Sequence, residues 1–285
     1  MNNSLYFAQY LLNTGLVKTE EIQGLLAKSL EAKPSLALMA LREGMVTGQQ
    51  LASLDVAADF AGQALGKNLL TAEQIETLNQ VVPSDSMRFA QVMLDEGRVD
   101  FLRLEELFKS GDAVPDIIRA SVRQLAGASL KTEAEAYGDF AEIFMRSFIR
   151  FMDMPAVIDN REPILGDSNQ SHIVSQRLIG DISMTTGIVT SDPMFIEMAR
   201  RYSHEDIKEI DELAADSLTE FLNVVNGLFA VDMARQDRDV DLEAPKIEAN
   251  LLPVGNHQLL LRVYTACGSF VLVIASDEFV LKEKA

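Results

Sequence analysis

Within the first 110 residues one apolar skeleton returns four times. Phe7-Ala8-x-x-Leu11 leads to Gly15, with Val17 and Ile22 beyond it. Leu36-Ala37-x-x-Ala40 leads to Gly44, followed by Val46 and Leu51. Phe60-Ala61-x-x-Ala64 leads to Asn68, followed by Leu70 and Ile75. Phe89-Ala90-x-x-Met93 leads to Gly97, followed by Val99 and Leu104. The turn residues are spaced 29, 24 and 29 apart, so a 53-residue unit occurs twice. Apolar residues at i, i+1 and i+4 make one helix face, and Gly or Asn at its end supplies a left-handed cap. Thr19, Thr47, Thr71 and Asp100 then stand where the N-cap of the next helix belongs. Each segment predicts a helical hairpin, and a hairpin cannot bury its apolar face alone. Residues 1–55 and 56–110 are therefore expected to be two small helical repeat units packed together.

The pattern changes at Gly111-Asp112-Ala113-Val114-Pro115. An amphipathic stretch at 117–125 and a join at 127–131 make 111–131 a linker with a connecting helix. A domain over 132–285 follows. Its first helix, 134–154, carries Phe140, Phe144, Phe148 and Phe151 at near-helical spacing, a core face, and Pro155 ends it. After a polar loop at 159–170 come strands at 172–179 and 181–189, with Gly180-Asp181 as a hairpin signal. Asp192-Pro193 opens a short helix to residue 202, and a long helix is expected from 206 to 235. Strand-like runs at 246–251, 259–266 and 269–274 close the chain. Strands and helices in this order predict an α+β domain, an antiparallel sheet with helices packed on it.

The long helix carries the chemistry. At 100° per residue, Leu218, Phe221, Leu222, Val225 and Phe229 share one side, an apolar face for the sheet. Asp216, Glu220, Asn223 and Gly227, spaced i, i+4, i+7, i+11, fall in a narrow band opposite. Most such bands are solvated surface. Here Asn is a poor helix former, and mid-helix Gly costs about 1 kcal/mol relative to Ala. A glycine on a polar face also leaves room for another molecule's backbone.

Composition narrows the partners. The net charge is −18, with −5 in residues 1–128 and −13 in 129–285. So acidic a surface repels phosphate backbones and anionic lipid, which argues against nucleic-acid and membrane partners. No basic, apolar leader opens the chain, and no apolar run reaches membrane-spanning length. A cytoplasmic location is expected. The single cysteine, Cys267, cannot form an internal disulfide or a cysteine zinc site, and is expected to be a small core or strand residue. His172, His204 and His257 offer no metal or triad spacing.

Two resemblances follow from these residues. The repeat register resembles the GspE/MshE N-terminal family of secretion and pilus-assembly ATPases, some of which bind cyclic di-GMP through paired Arg-Leu-Gly-x-x-Leu motifs. The motif arginine falls here on Tyr6, Ser35, Asp59 and Arg88, and its first glycine on Ala8, Ala37, Ala61 and Ala90. With three of four arginines missing, the bidentate donors are lost, and a protein-interaction or spacer role is expected instead. The second resemblance is to the CheX-like (CheC/CheX/FliY) chemotaxis phosphatases. It rests on Asp211-Glu212-Leu213-Ala214…Ser217-Leu218-x-Glu220-x-x-Asn223-x-x-x-Gly227 and on 240–245 as a turn into the next strand. The helix 134–154 lacks Glu-x-x-Asn, so the single-site CheX type fits.

That resemblance implies a CheX/CheC-like antiparallel sheet with packed helices. It implies a phosphatase hydrolysing the aspartyl phosphate of a CheY-like response-regulator receiver, in chemotaxis or two-component signalling. Asn223 would orient the attacking water and Glu220 would pair with the receiver's lysine, with Asp216 and Gly227 lining the partner-binding face. No cofactor is expected on this chain, since the receiver supplies Mg²⁺. Dimerisation through the sheets is common in the family, so a homodimer is also an expectation. The alternative is a non-catalytic receiver-binding or scaffold module.

Overall fold

The computed structural model describes residues 6–114, 116–126, 130, 134–161, 163, 170–254, 257–276 and 280–283. It divides into two compact units, Met1–Ile117 and Ile118–Ala285.

The first unit consists of helical hairpins: α1 (Phe7–Asn13) with α2 (Thr19–Glu31), α3 (Leu36–Arg42) with α4 (Gly48–Ala52), α5 (Val56–Gly66) with α6 (Ala72–Asn79), and α7 (Asp85–Asp95) with α8 (Phe101–Asp112). Gly15, Gly44, Asn68 and Gly97 all have φ between +54° and +74°, the left-handed cap their spacing predicts. One residue later the N–H of Met45, Leu69 and Arg98 reaches back to the carbonyl of Ala40, Ala64 and Met93, closing the helix end. The apolar anchors Val17, Val46, Leu70 and Val99 are buried. Thr47, Thr71 and Asp100 cap α4, α6 and α8 through their side-chain oxygens. Thr19 does not: it is the first residue of α2, with Lys18 at the cap, because Glu21 accepts from the Lys18 N–H and starts the helix one residue early. Nor does the helical pattern break at Gly111 and Asp112. Both lie in α8, where Asp112 receives two hydrogen bonds from Arg42 and the Arg42 guanidinium lies 4.6 Å from the Phe108 ring centroid.

The second unit is α+β. The helix α9 (Ile117–Ala126) leads into it, and Arg119 pairs with Asp139 at 2.8 Å on α10 (Ala134–Met152). Phe140, Phe144 and Phe148 of α10 are fully buried. Phe151 is only half-buried and lies edge-on to Tyr202. The strands are β1 (Ala156–Ile158), β2 (Gln170–Gly180), β3 (Met184–Ser191), β4 (Val240–Leu242), β5 (Lys246–Ala249), β6 (Leu251–Val254), β7 (Gln258–Thr265), β8 (Gly268–Ala275) and β9 (Val280–Glu283). Seven of them form an antiparallel sheet in the order β1-β7-β8-β3-β2-β4, with β5 also on β2, while β6 and β9 pair separately. Two helices stand between β3 and β4 in the chain, α11 (Asp192–Ser203) and α12 (Glu212–Ala234).

Alternation along β2 separates two faces. Val174, Gln176 and Leu178 are buried on the side of α12, whereas Ile173 joins Val189, Val271 and Val273 in a second core, against which Leu252, Leu260 and Leu281 pack. The part of the 159–170 loop at 164–169 lies outside the described residues. The long helix is shorter than its periodicity suggests: 206–211 is not helical. His204, at φ +60°, ends α11, and Ile207 is buried while its carbonyl accepts from Arg200. Apolar Ile207 and Ile210 mimic a continuing helix face, but Asp211 is the true N-cap, accepting from the Ala214 N–H. Cys267 is likewise neither core nor strand. It is exposed in the two-residue turn between β7 and β8, where Thr265 pairs with Gly268.

Candidate functional site

The helix α12 forms because its sequence gives a cap, Asp211, and an uninterrupted period of buried positions. Leu218, Phe221, Leu222, Val225 and Phe229 are all fully buried, so the opposite band must face outward. Phe221 meets Phe144, Phe148 and Tyr202 edge-on, and Phe229 meets Phe140 in the same way. These contacts fix the rotation of α12 against α10 and α11.

Asp216 and Glu220 are exposed, and Asn223 and Gly227 are half-exposed. All four predicted residues therefore share one accessible face. Among the described residues the Glu220 carboxylate has no hydrogen bond or ion pair, so it is available to a cation from outside. The nearby Tyr202 phenol is pushed above its ordinary pKa by burial and by the Glu220 charge. A Cβ at Gly227 would meet nothing within 4 Å, so the space above it is open.

Apolar side chains flank this band. Leu213, Leu228 and Val231 of α12 are among the most exposed large hydrophobic residues described, at 47, 45 and 54%. Leu228 and Val231 also line a groove of about 280 Å³ against α10, with Arg146, Arg150, Asp232 and Arg235 around it. A polar centre bordered by exposed apolar groups suits a macromolecular surface better than a small molecule, which would need an enclosed pocket.

Asn223 is not free to turn. Its Oδ1 accepts a 2.8 Å hydrogen bond from Nε2 of Gln176 on β2. The same Nε2 donates to the Glu243 carbonyl at 2.8 Å, and Gln176 Oε1 accepts from Asn226 Nδ2 at 2.7 Å. Asn226 Oδ1 accepts in turn from the Thr186 hydroxyl at 3.1 Å. Gln176, Asn226 and Thr186 are buried, so this is an interior polar chain that surfaces at Asn223. Sequence reasoning missed Gln176 and Asn226. The signals were there: Gln176 stands where Val174 and Leu178 predict an aliphatic residue, and Asn226 lies on the apolar side of α12 beside Leu222 and Phe229.

Among the described residues no group of three or more His, Cys, Asp or Glu side chains is placed to hold a metal ion. No described helix is long and apolar enough to cross a membrane.

No protein-family model and no curated protein matches the chain. Solved structures do match it in fold. The C-terminal part is similar in fold to CheX, CheC and FliY structures. One is a chemotaxis protein CheX from Desulfovibrio desulfuricans, at 12% identity over 52% of this chain and 99% of that one, with a TM-score of 0.42. Another is a CheX from Vibrio vulnificus, at 15% identity over 50% of this chain and 95% of that one, with a TM-score of 0.42. A third is CheX in a CheX–CheY–BeF3–Mg complex from Borrelia burgdorferi, at 15% identity over 52% and 97%, with a TM-score of 0.40.

Proposed function

We propose that the C-terminal unit hydrolyses the aspartyl phosphate of a CheY-like receiver protein, with Glu220 and Asn223 as its working pair. The observation that carries this reading is their arrangement. A carboxylate without a hydrogen bond or ion pair among the described residues and an amide anchored from below stand one helical turn apart on an open, apolar-flanked face. An acyl phosphate is an activated leaving group, so a catalyst has mainly to place a water and manage charge. In the reaction, water oxygen bonds to phosphorus while the bond from phosphorus to the aspartyl oxygen breaks. The aspartate leaves as a carboxylate, and the water's proton goes to the phosphate released.

Asn223 suits the positioning task because an amide hydrogen-bonds a water without adding negative charge beside a phosphoryl group. Glu220 suits docking, since an unengaged carboxylate attracts the lysine of a receiver's phosphorylation site. Mg²⁺ belongs to the receiver in this reading, and Asp216 and Gly227 complete the contact face. The decisive experiment follows the decay of a phosphorylated receiver with and without this protein at equal Mg²⁺. Faster decay supports the phosphatase. Binding without faster decay supports a receiver-binding or scaffold module. Neither with several receivers would end both readings.

A further inference from the structure

We infer that Gln176 is a positioning residue that fixes which end of the Asn223 amide faces the outside. This rests on the reading of Asn223 as the residue that contacts the phosphoryl site, and it concerns a side chain on a different element. One group in this network has no choice of role. The Glu243 partner of Gln176 is a backbone carbonyl, which can only accept. Gln176 must therefore turn its NH₂ toward Glu243, and the same NH₂ is what Asn223 meets. Asn223 is then obliged to offer its own acceptor, Oδ1, inward. Its NH₂ is left pointing outward, as the donor end. The far end of the chain agrees: Gln176 Oε1 needs a donor and finds Asn226 Nδ2, whose Oδ1 needs a donor and finds the Thr186 hydroxyl. Every amide in the chain has one self-consistent orientation, and reversing any one of them sets two acceptors or two donors face to face.

The consequence is chemical. With its carbonyl oxygen turned inward onto Gln176, Asn223 presents its NH₂ rather than its acceptor to the water. It can donate, either to the water oxygen, leaving that oxygen's other lone pair for phosphorus, or to a phosphoryl oxygen gaining charge. A glutamine amide buried at a strand position whose neighbours Val174 and Leu178 are aliphatic is tolerated only because both its ends are hydrogen-bonded, so apolar packing alone does not explain Gln176. Holding the amide in one rotamer before a partner arrives removes an ordering cost at the moment of reaction.

The test uses the full chain in three forms, the parent, Gln176→Leu, and Gln176→Leu combined with Asn226→Leu, with Asn223→Ala as a fourth for assignment. The single variant leaves the Asn226 NH₂ buried without its acceptor and can unfold the domain. The double variant replaces both partners by apolar groups of similar size, which is far better tolerated. Side-chain ¹⁵N relaxation of the Asn223 amide, assigned by its loss in Asn223→Ala, is measured beside kcat and KM for a phosphorylated receiver. The expected result is an ordered Asn223 amide in the parent and an order parameter below about 0.6 in the double variant. The kcat should fall on the order of tenfold with KM within about twofold, the split expected when orientation is lost but docking is kept. An Asn223 amide as mobile in the parent as in the variant, or an unchanged kcat in a variant with a loosened amide, overturns the inference. If the amide loosens as expected while the parent accelerates no receiver's decay, Gln176 still positions Asn223, and the phosphatase reading is what fails.

Discussion

Gln176 on β2 and Asn223 on α12 are 47 residues apart in sequence and joined by a 2.8 Å hydrogen bond between their side-chain amides. The bond ties the outward face of a helix to the interior of a sheet. It separates what Asn223 does for the fold from what it offers to the outside. The inner oxygen is structural, and the outer NH₂ is available.

Replacing Asn223 by Ala should therefore remove activity with little loss of stability. Asn223 is half-exposed, so truncation opens no sealed cavity, although Gln176 loses one of its two acceptors. In the phosphatase reading a loss on the order of 10²-fold in kcat is expected, comparable to deleting one well-placed donor at an enzyme's catalytic centre. Glu220→Ala should instead weaken receiver binding and flatten its salt dependence, because a partner-facing charge acts chiefly on association. Decay rates and receiver titrations on both variants read these effects. Equal decay rates for Asn223→Ala and parent would remove Asn223 from the mechanism.

Among the described glycines of the first unit, Gly48 comes nearest to another stretch of backbone. A Cβ there would lie 2.6 Å from Leu102 Cα and 2.7 Å from the Phe101 carbonyl oxygen, while the Gly48 N–H already donates to Glu105. Neither obstacle is a flexible side chain. Gly48→Ala should force α4 away from α8 and destabilise the unit by about 1–3 kcal/mol, the usual range for overpacking. Urea unfolding followed by circular dichroism measures it, and an unchanged midpoint would mean that α4 is not held against α8.

The exposed Cys267 thiol should react more slowly than an ordinary surface cysteine. Burial pushes its pKa up, the neighbouring Glu197 carboxylate adds to that, and Arg201 works against both. Only the thiolate attacks an alkylating reagent, so a raised pKa means less reactive species at neutral pH. Glu197→Gln removes an anion that raises the pKa and releases Arg201, which lowers it. The midpoint of the alkylation rate against pH should move down, with faster labelling at pH 7. A midpoint that stays or rises would show that Glu197 does not act on the thiol.

The helix face that carries Glu220 and Asn223 was readable because helical periodicity is a strong signal over 23 residues, and the same holds for the four left-handed caps of the first unit. What escaped is informative. Gln176 and Asn226 are polar residues in apolar company, and only the fold brings them together across 50 residues. The segment 206–211 has two isoleucines at helical spacing, so its pattern imitates the helix that follows. The difference lies in Asp211, whose side chain caps α12 and so marks where the helix begins. Cys267 sat between two strand runs and was expected to share their burial. The two-residue turn at 266–267 takes it out of both. The short strands β1, β4 and β9 have three or four residues each, too few for alternation to register.

Gly227 lies one turn beyond Asn223 on the same face. The residue is helical and a Cβ there touches nothing, so neither strain nor crowding requires glycine. Glycine inside a helix costs about 0.5–1 kcal/mol relative to alanine, chiefly because the unfolded chain has more freedom to lose. Gly227→Ala should therefore stabilise the domain and raise its Tm by about 2–4 °C. If the open space above Gly227 is reserved for a partner, a longer side chain should be harmless to the fold and harmful to docking. Gly227→Gln keeps helix propensity high and adds no charge, so it isolates that steric effect. The expected outcome is a Tm at or above the parent's with receiver affinity reduced about tenfold or more, equivalent to about 1.4 kcal/mol of binding. Thermal unfolding and receiver titration on the two variants separate the cases. Should Gly227→Gln bind and dephosphorylate like the parent, the docking face does not extend to Gly227 and must lie toward Asp216 and Leu213.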